Sequence, residues 1–310
     1  MADKTRTSGT GEVHDLPRVK PGKYSDGMPY DQVRYLECKL ILRPNHFTSR
    51  ASLGDFAKVL RRPAKDNGIR FDSDGYLDAP LQIREVLFMD TADYRLYNNA
   101  FILRRRVRYH EGFPVGDPEV VFKFRHPDLQ KVAETDVRPH IFGDYQIKFK
   151  AEVLPLKNEL GGLRVLYSHN VQFPVHSGTT GEHTSLEWIA NALPALHVLK
   201  REPGERLALV SDTIVEEVLL DIGELDLGDG FRPKANVALW RTRGGHPPLV
   251  GEFAFQIKFK RREELNALNL DRARNFLKDL QWAARDWIQL GVTKTGIVYH
   301  LKGNPPNAHE

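Results

Sequence analysis

Cysteine is nearly absent from this 310-residue chain. Cys38 stands alone, which excludes an internal disulfide and fits a reducing compartment. Long apolar runs are missing too. No stretch of 18 apolar residues exists, and the first residues (MADKTRTSGTGEVHDLPRVKPGKYSDG) hold no apolar signal core. Neither a membrane span nor a secretory leader is expected, so the chain reads as soluble and cytoplasmic. A dominant charge of one sign is lacking as well. Against 45 lysines and arginines stand 41 aspartates and glutamates, a net charge of +4. That balance is too mild to argue for nucleic acid, so any basic site must be local. What is present is core-forming material: 41% of the residues are hydrophobic and 10% aromatic. The length allows one large domain or two of ordinary size.

One pattern recurs. QIKFK occurs as YQIKFKAEV from Tyr145 and as FQIKFKRRE from Phe255, and VVFKFRH at Val120 is similar. Residues two apart share a strand face. Gln146, Lys148 and Lys150 therefore oppose Ile147 and Phe149, and Lys123 and Arg125 oppose Phe122 and Phe124. Glu252, Ala254, Gln256, Lys258 and Lys260 oppose Phe253, Phe255, Ile257 and Phe259. Arg104, Arg106 and Arg108 oppose Leu103 and Val107, with Arg105 interrupting. One such strand is ordinarily a sheet face wetted by solvent. Several in one sheet bring rows of like charge together at about 4.8 Å spacing, where they repel. A barrel lined with Lys and Arg needs a polyanion inside it.

Residues 1–30, polar and rich in Gly and Pro, read as a disordered leader, and 303–310 as a flexible tail. Between them, 31–302 reads as one domain. A strand opens it (VRYLECKLIL), and a helix capped by Ser52 follows, with Leu53, Phe56 and Leu60 on one face before Pro63. Further strands are expected at Glu85–Asp90, Phe101–Tyr109, Val120–Arg125, Ala133–Pro139 and Tyr145–Leu154. Residues 155–206 look like an irregular insertion, with a capping box of Thr184 and Glu187 starting a helix that Pro194 ends. Within it HSGTTGEH (His176 to His183) fits a flexible loop better than a metal site, lacking zinc-ligand spacing. The second half repeats the scheme: strands at Leu207–Val210, Ile214–Ile222, Asn236–Arg243 and Gly251–Lys260 come first. A helix through Phe276, Leu277, Leu280, Ala284 and Ile288 follows, stopped by Gly291, and a last strand is GIVYHLK. The fold class is α+β, dominated by a curved or closed antiparallel sheet.

The segment FMDTADYRLYNNAFILRRRVRY resembles the second and third strands of the CYTH superfamily, the triphosphate tunnel metalloenzymes. It matches that family's pattern at Phe88, Asp90, Thr91, Asp93, Leu96, Leu103, Arg104 and Arg106, with Ala100 in the usual Gly place. YLECK stands where the family opens with E-x-E-x-K. VVFKFR, ETDVR, GEFAFQIK and GVTKTGIVY follow in the family's order. The resemblance spans about residues 33–301 and is specific in 86–109.

It implies an eight-stranded antiparallel β-barrel with flanking helices, binding a triphosphate, nucleoside triphosphate or polyphosphate with Mg²⁺ or Mn²⁺. The activity it implies first is phosphohydrolysis, as in thiamine triphosphatases. Class IV adenylate cyclisation is the alternative, and a binding module of weak catalysis is another. Nucleic acid is expected only as a 5′-triphosphate end. By position, Arg104, Arg106, Lys123, Arg125 and Lys294 resemble phosphate ligands, and Lys148 and Lys258 join them from the strand alternation. Lys39 takes the place of the lysine that orients the attacking group, with Glu37 beside it. Glu37, Glu134 and Glu252 resemble metal ligands, and Glu134 and Asp136, or Asp221, are placed to compensate for missing ones. The family's first glutamate is Tyr35 here, and Ala254 replaces a second one, which weakens the expected metal site.

Overall fold

The computed structural model describes residues 16–175 and 185–305. The histidines of the HSGTTGEH loop and the Thr184 cap lie outside the described residues.

Two-residue periodicity governs most of the chain. In order, the elements are β1 (Tyr35–Leu42), α1 (Arg50–Asp66), β2 (Arg70–Asp72), β3 (Gln82–Asp90), α2 (Arg95–Asn98), β4 (Phe101–His110), β5 (Phe113–His126) and α3 (Leu129–Glu134). Then come β6 (Gln146–Pro155), β7 (Leu163–Pro174), α4 (Leu186–Ala192), β8 (Ala208–Asp226), β9 (Lys234–Thr242), β10 (Pro248–Lys258), α5 (Ala267–Ala283) and α6 (Lys294–Tyr299).

Nine strands close into a barrel in the order β8-β3-β4-β5-β7-β6-β1-β10-β9, with β9 returning to β8 and β2 pairing outside on β8. The expected eight antiparallel strands are thus corrected to nine, with one parallel pair. A circuit of nine strands must contain an odd number of parallel neighbours, because direction has to return to itself. That one pair is β1–β6, with Tyr35 opposite Lys150 and Glu37 opposite Glu152.

The ninth strand comes from the segment expected to be an irregular insertion. β7 lies within 155–206 and pairs with both β5 and β6. Its sequence, LRVLYSHNVQFP, alternates poorly, and seven consecutive or near-consecutive positions are buried because both faces are covered. Other expectations shift locally. Ser49, not Ser52, caps α1 in a reciprocal box with Ser52, and Pro63 sits within the helix. Ala133–Pro139 is not a strand; its start completes α3, whose cap Asp128 accepts from Lys131 N. Leu207–Val210 and Ile214–Ile222 fall on one long strand, broken by Ser211 and Asp212 at positive φ. GIVYHLK is mostly the short helix α6, begun by the Thr293 hydroxyl accepting from Gly296 N.

The apolar strand faces point outward under a layer of helices. Phe253 and Phe255 of β10 meet Phe56 of α1 and Phe276 of α5 at ring centroids of 5.4 and 5.8 Å. The leader also contributes: Leu16 and Val19 are buried in this core, and Tyr24 carries Arg138 4.6 Å over its ring. From residue 16 on, the expected disordered leader is therefore packed against the barrel. Inside the barrel a second apolar cluster forms a floor. Ile41, Val86, Phe88, Ile102, Val215, Trp240 and Val250 meet Val298 and Tyr299 of α6 there.

The DTAD motif anchors this floor. Asp90 accepts hydrogen bonds from the backbone N–H groups of Thr91, Leu96 and Tyr97 and from the Tyr299 hydroxyl. Ala100 adopts φ +67, which explains why glycine suits that place.

Candidate functional site

Above the apolar floor the same inward faces turn polar. They line a cavity of about 430 Å³. The alternation puts Glu37 and Lys39 of β1, Arg84 of β3, Arg104 and Arg106 of β4, and Lys123 and Arg125 of β5 on its wall. Lys148, Lys150 and Glu152 of β6, Glu217 and Asp221 of β8, Glu252 of β10 and Lys294 of α6 complete the charged lining. Nine cationic side chains thus face five carboxylates.

Most of these charges are paired. Lys39 Nζ lies 2.7 Å from Glu37 and 3.1 Å from Glu152. Lys150 reaches the other Glu37 oxygen at 3.1 Å. Glu152, fully buried, also accepts from Lys123 at 2.8 Å and from the Ser168 hydroxyl at 2.5 Å, with Arg125 at 3.8 Å. From α6, Lys294 bridges Glu252 of β10 at 2.7 Å and Glu217 of β8 at 3.3 Å. Glu217 further accepts from Arg84 and from Trp240 Nε1.

These pairings set the protonation states. Burial alone would raise Glu37 and Glu217, but Lys150 and Lys39 for the first, and Lys294 and Arg84 for the second, outweigh it and hold each at about 2. Glu152 is likewise held well below the ordinary carboxylate value, its burial overcome by Lys123, Lys39 and Arg125. Lys39 goes the other way, raised by Glu152 and Glu37 against its burial. Lys123 is lowered to about 7, first by burial and then by Lys39, Arg125 and Arg104, which oppose the support of Glu152. Burial, and then Arg104, brings Arg106 down to about 10.

Two cations have no carboxylate partner. Among the described residues, the side chains of Arg104 and Lys148 make no hydrogen bond or ion pair, although both face the cavity. Arg106 Nε is buried and also without a hydrogen-bond acceptor. Its Nη2 donates to Glu119 and Gln172. Guanidinium donors left open inside a protein are costly unless an anion satisfies them.

The sequence-derived candidates divide accordingly. Glu37, Lys39, Arg104, Arg106, Lys123, Arg125, Lys148, Glu252 and Lys294 all meet at this cavity, as does Asp221. Lys258 shares their strand face but stands exposed at the end of β10, its ammonium 5.9 Å from the Tyr35 ring centroid. Glu134 does not belong to the site. It ends α3, exposed, and accepts from Gln130. Asp136 is turned toward Arg138 instead. Sequence reasoning missed Glu152, Glu217 and Arg84. Glu152 merely continues the Gln146, Lys148, Lys150 face by one more step, and that signal was available. Arg84 precedes the expected start of β3. Glu217 sits beside Glu216, and only the strand register shows which of the two turns inward.

The expected metal ligands do not assemble. With Glu134 outside, Glu37 and Glu252 remain, and both are held by lysines. No cluster of three or more His, Cys, Asp or Glu suited to a metal ion occurs among the described residues. The donor set does not fit a built divalent-metal centre.

No protein-family model matches the sequence, and no curated protein matches it. Solved structures of similar chain path exist. A Hippeastrum protein described as an adenylyl cyclase candidate with a dominant triphosphatase activity is 12% identical over 88% of this chain and 98% of its own, with a TM-score of 0.39. A Bacillus halodurans adenylate cyclase candidate is 11% identical over 84% and 95%, TM-score 0.36. A Pyrococcus horikoshii protein is 8% identical over 85% and 97%, TM-score 0.34. Likenesses this distant carry no argument about what the chain does.

Proposed function

We propose that this protein binds a linear phosphate chain, a triphosphate moiety or a short polyphosphate, inside its barrel. The observation that carries this reading is the pair of cations without an ion-pair partner, Arg104 and Lys148, facing a cavity that holds nine cationic side chains against five carboxylates. A single phosphate would engage one of them. A chain of phosphates engages both, together with the open Arg106 donor, and supplies the several negative charges the excess of cations calls for. Arginine forks suit the non-bridging oxygens, and lysines act as point charges between them. Rigid strands hold these groups before the ligand arrives, which limits the ordering cost of binding.

The inward cations, the barrel and the DTAD turn together support a place in the triphosphate tunnel superfamily. Phosphoanhydride hydrolysis is the second reading, favoured by Glu37 and Lys39 lying in the same cavity as the cations.

Thermal unfolding tests the binding reading. Tripolyphosphate should raise the melting temperature well above the effect of orthophosphate at equal ionic strength; saturation to 100 Kd stabilises by about 2.7 kcal/mol. Arg104→Ala with Arg106→Ala should erase the difference between the two anions. Equal stabilisation by both anions in the unmodified protein refutes the proposal.

A further inference from the structure

The four glutamates of the cavity are not free carboxylates awaiting a cation. They are bridged in two pairs by lysines. Lys39 lies between Glu37 and Glu152, at 2.7 and 3.1 Å, and Lys294 between Glu252 and Glu217, at 2.7 and 3.3 Å. Each ammonium already lies between two carboxylates that a divalent ion would need as ligands. A hard cation such as Mg²⁺ would have to displace an ammonium that belongs to the chain, and would shed its own tightly held water to do so. The displaced ammonium would then be left in an enclosed site beside Lys123, Arg104 and Arg125.

We infer that the barrel takes its phosphate chain as the metal-free anion, with Lys39 and Lys294 as built-in counter-ions in place of divalent metal. This rests on the proposed phosphate-chain binding and specifies its ionic form. A metal-free triphosphate offers its full charge to Arg104, Lys148 and Arg106. A chelated one brings a cation into a wall that already holds more positive than negative charge, and several of its oxygens are occupied by the metal. Magnesium in solution then acts as a competitor that withdraws ligand from the protein.

Calorimetric titration of the full chain with tripolyphosphate separates the possibilities, once in buffer with chelator and once with Mg²⁺ in excess of ligand. Binding should be seen with chelator and be weaker with Mg²⁺ by about tenfold or more, ~1.4 kcal/mol. Binding that requires Mg²⁺, or is strengthened by it, overturns the inference while leaving the phosphate site intact. No binding in either buffer refutes the phosphate-chain reading itself. A second arm follows Mn²⁺ by electron paramagnetic resonance without any phosphate. The unmodified protein should leave Mn²⁺ free, whereas Lys39→Met, which removes the ammonium shared by Glu37 and Glu152, should acquire a bound ion. Mn²⁺ bound by the unmodified protein and lost in Glu37→Gln would overturn the proposal. Should Lys39→Met fail to fold, the titrations of the unmodified protein still decide.

Discussion

Glu152→Gln removes one negative charge from the most enclosed part of the barrel and leaves the shape almost unchanged. Three cations converge on this carboxylate, Lys123 at 2.8 Å, Lys39 at 3.1 Å and Arg125 at 3.8 Å, and the Ser168 hydroxyl donates to it at 2.5 Å. Breaking a buried ion pair from one side costs about 3–5 kcal/mol, because the remaining charge is stranded. Gln retains an oxygen able to accept from Ser168 or Lys123. Lys123, already lowered to about 7 by its burial and by neighbouring cations, can also shed its proton once its carboxylate is gone. Both effects place the expected loss near the lower end, about 3 kcal/mol. In a chain this long that is a fall in melting temperature of about 5 °C.

Acid removes this contribution. Glu152 is lowered well below 4.5 in the folded protein, so its contribution is present above the unfolded-state value and lost as pH falls through the folded one. The gap between Glu152→Gln and the unmodified protein should therefore close in strong acid. Urea unfolding with and without tripolyphosphate completes the assay. The variant should gain more from the anion than the unmodified protein does, because the ligand replaces the missing negative charge. Equal stability of the two proteins near pH 7 would refute the view that Glu152 neutralises this cluster.

Lys123 is lowered to about 7, by burial first and then by Lys39 and Arg125, and an anion arriving beside it favours the charged form. Tripolyphosphate binding at pH 8 should thus take up a proton, approaching about one per ligand, as read from calorimetry in buffers of different ionisation heat. Lys123→Met should abolish the uptake, and proton release by the unmodified protein would contradict the assignment. Tyr35 stands in register with Lys150 and Lys258 at the end of β1, where the resembled family carries a glutamate. Tyr35→Glu should form a further ion pair there and add no Mg²⁺ or Mn²⁺ dependence to binding or to phosphate release. A gain in metal-dependent turnover would show that the missing carboxylate is what limits a metal site.

Much of the barrel was legible because its strands obey one rule. Wherever cations alternated with Phe, Leu or Ile, as in β5, β6 and β10, the strand and its inward face followed from periodicity. β7 escaped because its hydroxyls, His169 and Asn170 are buried within a sheet covered on both sides. Its pattern is then neither alternating nor simply apolar. His169 is held outside the barrel by Asp31 and the Thr135 carbonyl, a long-range arrangement that no local window contains. α6 was misread for the opposite reason. GIVY has strand-like composition, yet Val298 and Tyr299 are needed to fill the barrel floor, and the Thr293 cap turns them into it. Tertiary packing overrode local propensity there.

The site was legible in its cations and not in its carboxylates, and the asymmetry has a physical cause. A row such as Lys148, Lys150 or Arg104, Arg106 is self-repulsive, so its sequence alone raises the expectation of an anion beside it. A carboxylate among lysines carries two meanings, metal ligand or internal counter-ion, and only distances separate them. Glu37 and Glu252 read equally well as metal ligands until Lys39 and Lys294 are seen bridging each to a partner that spacing did not reveal. Those partners, Glu152 and Glu217, come from strands remote in sequence: 113 residues part Lys39 from the first, 77 part Lys294 from the second. Closure of the barrel brings them together, and with them the choice between a metal-binding wall and one whose counter-ions are its own lysines.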